Sequence, residues 1–250
     1  MPGRAGQSGQ VAVETALSLP LALFLILGTL QLFMMLQARV MSEYAAFRAT
    51  RAGSVNHGDC RAMTDAAILA LMPTYHRFLG TDGGSGTPGQ RLARAWDLRR
   101  TNRYFPAQDG GHDGAIVWLV RESPRPGQVP SEDVNFDQHQ GPPMRLEVRL
   151  VYWFPLRIPF ADWVMSRMFL AQWGLRPYTA QNPLMVTQTA EWREEVDAPF
   201  EDVIAQELVR RINARQYVFP IQASYTMRMM TPAQGRYFTR RNCAPTPEFP

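Results

Sequence analysis

Four histidines (His57, His76, His112 and His139) and two cysteines (Cys60 and Cys243) are the side chains best suited to metal or nucleophilic chemistry in this chain. A zinc centre needs three or four nitrogen, sulfur or carboxylate ligands converging in a closed geometry. His57, Asp59 and Cys60 have the look of a ligand set, but no H-E-x-x-H or H-x-E pattern with paired cysteines completes it. Asp109, His112 and Asp113 in DGGHDG offer oxygen donors for calcium, yet their spacing misses the EF-hand pattern and reads as a turn. Ser85 in GGSGTPG is not a nucleophile elbow, because Thr87 stands where the second glycine belongs; these glycines read as a flexible loop. Glu191, Glu194 and Glu195, near Trp192, read as solvated carboxylates at a strand end. No catalytic or metal constellation emerges, and no cofactor is expected.

Charge narrows the classes further. All 26 basic residues are arginine, which excludes a Walker A loop and a lysine Schiff base. The net charge of +4 is spread along the chain and is too weak to argue for nucleic acid. Arg91, Arg94, Arg99, Arg100 and Arg103 read first as a solvated face, with anionic lipid or an acidic partner as the alternative. The two cysteines stay buried thiols in a reducing compartment, or bridge the first small helix to the C-terminal tail in an oxidising one.

The elements that would carry any function begin with a long apolar segment. No charged residue occurs from position 15 to position 38, which are 24 positions, with Glu14 at the mouth of the run and Pro20 inside it. About 20 apolar residues cross a hydrocarbon core of roughly 30 Å, and a signal-peptide core is shorter, so a membrane span is expected. The helix is expected to continue from about residue 11 to 52, with Val40, Tyr44 and Phe47 as its apolar stripe and Gly53 as its stop. Arginines on both sides of the span leave orientation open by charge. Next come a helix over 60–72, capped by Asp59, closed by Pro73 and apolar at Met63, Ala67 and Leu71. A helix over 90–100 should turn Leu92 and Trp96 inward.

Strands are expected at 115–121, 144–154, 184–192 and 217–230, with a proline-rich connection over 122–143 between the first two. The second alternates sharply, Leu146, Val148, Leu150, Tyr152 and Phe154 against Arg145, Glu147 and Arg149, as a half-buried antiparallel strand does. A very apolar helix over 160–173 is read either as core or as a segment on the membrane surface. A helix opening at Asp197-Ala198-Pro199 and running to about 214 should bury Ile204, Leu208 and Ile212. The tail after Thr231 has four prolines and no periodicity. The expected fold is α+β: a leader-like segment (1–9), a transmembrane and juxtamembrane helix (10–53), an α+β domain on a small antiparallel sheet (54–230) and a proline-containing tail (231–250).

The start GQVAVETALSLPLALFLILGTLQLF resembles the TadE-like pilus-assembly proteins of tight-adherence systems. The continuation YAAFRATRAG is similar to the Ala- and Arg-rich stretch that follows the span in that family. LEVRLVYWFPLRIPF and PLMVTQTAEW resemble its strand patterns less specifically. The resemblance implies prepilin-peptidase processing between Gly9 and Gln10, making Glu14 the fifth mature residue. In pilin-like subunits a carboxylate there can pair with a neighbour's amino terminus in lipid. Thr15 and Gln10 depart from the residues common at those positions. Glu14 also has a plain reading as a carboxylate near a helix N-terminus, and Pro20 as a tolerated membrane-helix proline. Small residues around Gly28 do not form a strong helix-dimer motif.

These observations lead to an expected inner-membrane, single-pass, non-enzymatic protein with its leader inside and its domain outside, serving a Tad-type pilus or secretion apparatus. Expected partners are the bilayer, other pilus subunits and a prepilin peptidase. In that compartment a Cys60–Cys243 disulfide is expected. Two alternatives stand beside it: an anchored enzyme, marked by a cleft gathering His, Asp and Glu, and an anchored binding module, marked by an exposed apolar patch.

Overall fold

A computed structural model describes residues 7–75, 86–104, 114–130, 144–173, 179–181, 189–191 and 201–247. The chain divides into two compact units, Met1–Met35 with Leu156–Asp197 and Leu36–Pro155 with Ala198–Pro250. The architecture is a long apolar N-terminal helix followed by an α+β arrangement on a small antiparallel sheet.

The first helix, α1 (Gln7–Val55), is longer than expected at both ends and passes through Gly53. Its stop lies further on, where His57 (φ 57°) and Gly58 (φ 89°) turn left-handed and the Gly58 amide donates to the Gly53 carbonyl at 2.8 Å. This is the six-to-one bond of a Schellman cap. Gly53 serves close packing instead: a Cβ there would sit 2.5 Å from Met63 Sδ and 2.7 Å from Leu146 Cδ2. Gly53→Ala is therefore expected to cost about 1–3 kcal/mol by overpacking, read as a lowered midpoint in thermal melts.

The stripe at Val40, Tyr44 and Phe47 is not the buried face of α1. Val40 and Tyr44 are exposed, and the buried positions are Ala38, Ser42, Ala45, Ala46, Ala49, Thr50, Gly53 and Ser54. They fall on i, i+4 rows (42, 46, 50, 54 and 45, 49, 53), and their small side chains let the helix lie close to the sheet. Their hydroxyls return to the helix: Ser42 donates to the Arg39 carbonyl and Thr50 to the Ala46 carbonyl.

The sheet has four strands, β1 (Val117–Ser123), β2 (Arg145–Pro155), β5 (Val218–Arg228) and β6 (Asn242–Cys243), in the order β5-β2-β1-β6. All its pairings are antiparallel, and β2 and β5 match over their whole lengths, from Arg145↔Arg228 to Pro155↔Val218. Met63, Ile68 and Leu71 of α2 (Cys60–Tyr75) are fully buried, and Thr74 Oγ1 meets Tyr152 Oη at 2.7 Å. Asp59 caps α2 through the Arg61 amide at 3.0 Å. Pro73 does not close α2; it sits in the last turn at the loss of one amide donor, α2 runs on to Tyr75, and the Tyr75 hydroxyl bonds back to the Ile68 carbonyl.

The half-buried reading of β2 holds only for its first half. From Leu150 to Phe154 both faces are buried, because α1 and α2 cover one side and α5 (Asp202–Asn213) the other. Ile204, Leu208 and Ile212 of α5 are buried as their spacing predicts, while residues 197–199 lie outside the described residues. Helix α3 (Pro88–Arg99) starts two residues early on a Thr87–Gln90 capping box; Leu92 is exposed, and Ala95 is the buried position. The strand over 115–121 begins at Val117. Ala115 instead bridges Arg103, and Asn102 (φ 59°) accepts the Ile116 and Val117 amides at 3.1 and 2.9 Å. The segment after Thr231 contributes β6 to the edge of the sheet.

In the other unit, α4 (Ala161–Gln172) is neither plain core nor free. Ala161, Met165, Ser166 and Leu170 are buried, while Phe160, Trp163 and Met168 are exposed. Of the strand over 184–192, residues 184–188 and 192 lie outside the described residues, and β4 (Thr189–Glu191) pairs with β3 (Thr179–Gln181).

Candidate membrane and assembly segment

Gly9, Gln10, Glu14 and Pro20 all lie on α1, whose backbone is helical from Gln7 onward. Pro20 is inside the helix without ending it; it has no amide for the Ala16 carbonyl, and a membrane helix tolerates that loss. Glu14 and Pro20 are exposed.

Eleven large apolar side chains from Val13 to Leu36 stand outside the protein, Leu17 at 72% and Phe33 at 67% exposure among them. Burying a Leu or Ile contributes about 1.5–3 kcal/mol, so leaving this many in water would be costly. The hydroxyls of the stretch bond back to their own helix, and one amide is buried. Ser18 donates to the Thr15 carbonyl at 3.5 Å, and Thr29 donates to the Leu25 carbonyl at 2.7 Å. Gln31 is fully buried, and its Oε1 accepts the Arg157 and Ile158 amides at 3.1 Å each. From Ala16 to Leu36 the other side chains are apolar, apart from Ser18 and Thr29.

Nearer its C-terminus, α1 is fastened to the sheet. Arg39 donates to the Gln222 carbonyl and pairs with Glu43 at 3.3 Å. Phe47 meets Tyr225 edge to face at 5.2 Å, and the Ser54 carbonyl accepts the Met230 and Thr231 amides at 3.0 Å each.

The residues weighed for metal chemistry are spent structurally. His57 Nδ1 lies 2.9 Å from the Pro232 carbonyl, Asp59 caps α2, and Cys60 is bonded to Cys243 with Cα atoms 5.3 Å apart. No group of three His, Cys, Asp or Glu side chains gathers among the described residues. His76, His112, His139, Asp109, Asp113, Ser85, Glu194 and Glu195 lie outside them, and β4 ends at Glu191. In the α3 cluster, Arg91 donates to the Gly86 carbonyl and Arg99 to the Arg103 carbonyl, while Arg94, Arg100 and Arg103 are exposed.

Two buried arginines were missed. Arg121, 1% exposed, donates to the carbonyls of Gly58, Tyr237, Arg240 and Arg241 and lies 4.3 Å over the Phe238 ring. Burial pushes its pKa down to about 10, and the Asp59 carboxylate opposes that shift. Arg211 stacks 4.3 Å over Trp153, pairs with Glu207 at 2.8 Å and donates to the Ala115 carbonyl. Burial lowers its pKa, and Glu207 pulls it back. The available signal was periodicity: Arg121 shares a strand face with Val117 and Leu119, and Arg211 falls on the stripe of Ile204 and Leu208. A cleft of about 370 Å³ beside α5 is lined by Trp118, Glu207, Arg210, Arg211, Pro245 and Pro247. Its carboxylate is committed to Arg211, and neither His nor Asp joins it.

Together these features define, among the described residues, one helix long and apolar enough to cross a membrane, and an α+β unit. Residues 9–51 match the TadE-like protein family model, so the likeness covers the apolar helix and not the α+β unit. No curated protein and no solved structure matches the chain.

Proposed function

We propose that this protein is a non-enzymatic, single-pass component of a Tad-type pilus or related secretion apparatus, acting as a minor pilin-like subunit or an assembly factor. The observation that carries this reading is the unbroken α1, apolar and uncovered over its first half and fastened to the sheet at its far end, within the TadE-like residues. Such a helix packs laterally in lipid or against other pilus subunits while presenting the attached domain. The leader would lie in the cytoplasm and the domain outside the inner membrane; the Cys60–Cys243 bond supports an oxidising compartment for the domain. A prepilin peptidase would cut between Gly9 and Gln10, and the new amino terminus of one subunit would then be a partner for Glu14 of another, offsetting the cost of a carboxylate at low dielectric.

Mass spectrometry of the protein taken from carbonate-washed membranes tests this. A mature N-terminus at Gln10 is expected, and it should revert to the uncut form on Gly9→Leu. A wild-type chain that keeps Met1 or Pro2 removes the processed-subunit reading and leaves an anchored assembly factor.

A further inference from the structure

Helix α4 is held beside the apolar band of α1 by two contacts within one unit. Gln31 takes the amides of Arg157 and Ile158, just ahead of α4, and Phe160 meets Phe24 edge to face with ring centroids 6.1 Å apart. Phe24 and Gln31 are seven residues, about 10 Å, apart along α1. Phe160 caps α4 with a φ of 71°, a left-handed backbone that costs a bulky residue about 1–3 kcal/mol. This strained residue leaves its side chain 51% exposed, next to Trp163 at 48% and Met168 at 57%. Strain and three uncovered apolar groups are unexpected together on a surface facing water.

They are consistent with one occupant. The exposed side of α4 continues the apolar band of α1 through the Phe24–Phe160 contact, and it mixes aromatic rings with an exposed arginine, Arg167. Asp162 is turned back on its own helix, its carboxylate accepting the Trp163 amide at 2.6 Å. Aromatic groups and arginine beside an apolar face suit the boundary between acyl chains and phosphate headgroups.

We propose that α4 is a second membrane contact, lying along the domain-side surface of the bilayer with Phe160, Trp163 and Met168 in the lipid and Arg167 at the phosphates. This rests on the membrane-anchored reading above.

The test uses the full-length protein in nanodiscs of phosphatidylethanolamine and phosphatidylglycerol, with acyl chains brominated near the headgroup. Brominated lipid is expected to quench tryptophan emission in the wild type, and Trp163→Phe should lower the quenched intensity. An equal quenched intensity in wild type and W163F, whether Trp163 faces water or a second copy of the chain, overturns the proposal while the anchor stands. Release of the wild type from membranes by carbonate overturns the anchor and this proposal with it.

Discussion

Replacing Arg121 with methionine is expected to destabilise the domain by about 3–5 kcal/mol, the range for breaking a buried charged network. The guanidinium draws together three separate stretches of chain: the α1–α2 turn through Gly58, the C-terminal segment through Tyr237, Arg240 and Arg241, and β1 itself. Methionine fills much of the volume but donates nothing, so the carbonyls lose their partner at about 1–3 kcal/mol for each one left buried. Lysine keeps the charge yet lacks the planar fork that reaches several carbonyls at once, so Arg121→Lys should recover only part of the loss. The pH dependence follows from the lowered pKa. Below about 10 the group is protonated in both folded and unfolded states, so its contribution is flat from pH 5 to 9; above that the unfolded chain, with its higher ordinary arginine pKa, binds the extra proton, and stability would rise with pH. Thermal melts of the full-length protein in detergent should show the same R121M deficit at pH 5 and pH 9. A deficit below about 1 kcal/mol would contradict the pinning role.

Loss of the Cys60–Cys243 bond should cost about as much, 2–5 kcal/mol. The bond joins the first residue of α2 to β6 across 183 positions of sequence, and a long closed loop removes much freedom from the unfolded chain. Cys243 sits opposite Leu119 on the sheet, so the crosslink also holds the two-residue edge strand that Arg121 clamps from beneath. Cys60→Ser, Cys243→Ser and the double variant should all melt at one lowered temperature, because either change removes the whole bond. The wild type alone should change mobility on gels with reductant. A double variant that melts with the wild type would show that the bond contributes nothing to stability.

Where one periodicity dominated, the chain was readable. The uncharged run, the alternation in β2, the apolar faces of α2 and α5 and the capping aspartate at 59 each follow from local spacing. The C-terminal half of α1 misled because burial there favours small side chains over large ones: Val40 and Tyr44 look like a core stripe, whereas Ala45, Ala49 and Gly53 make the close approach. Trp153 and Val151 belong to the second covered face of β2, which no single strand discloses before α5 is known to pack there. Arg121 and Arg211 are charges at core positions, and their carbonyl partners are distant in sequence for Arg121 and Ala115 for Arg211, so spacing could place them on a buried face without naming the acceptors. Gln31 lies in the uncharged run, and its two amide donors, Arg157 and Ile158, are 126 and 127 positions away, beyond the reach of local spacing.

The bond between Cys60 and Cys243 has a topological consequence. It converts nearly everything after α1 into a covalent ring that is attached to the apolar helix at a single point, the turn before Cys60. A peptide bond cut anywhere inside that ring opens it without dividing the molecule, so both pieces stay tethered to α1. Glycine-rich and proline-rich stretches such as 80–89 and 122–143 lie within the ring. A cut within either stretch therefore leaves both pieces covalently joined to α1.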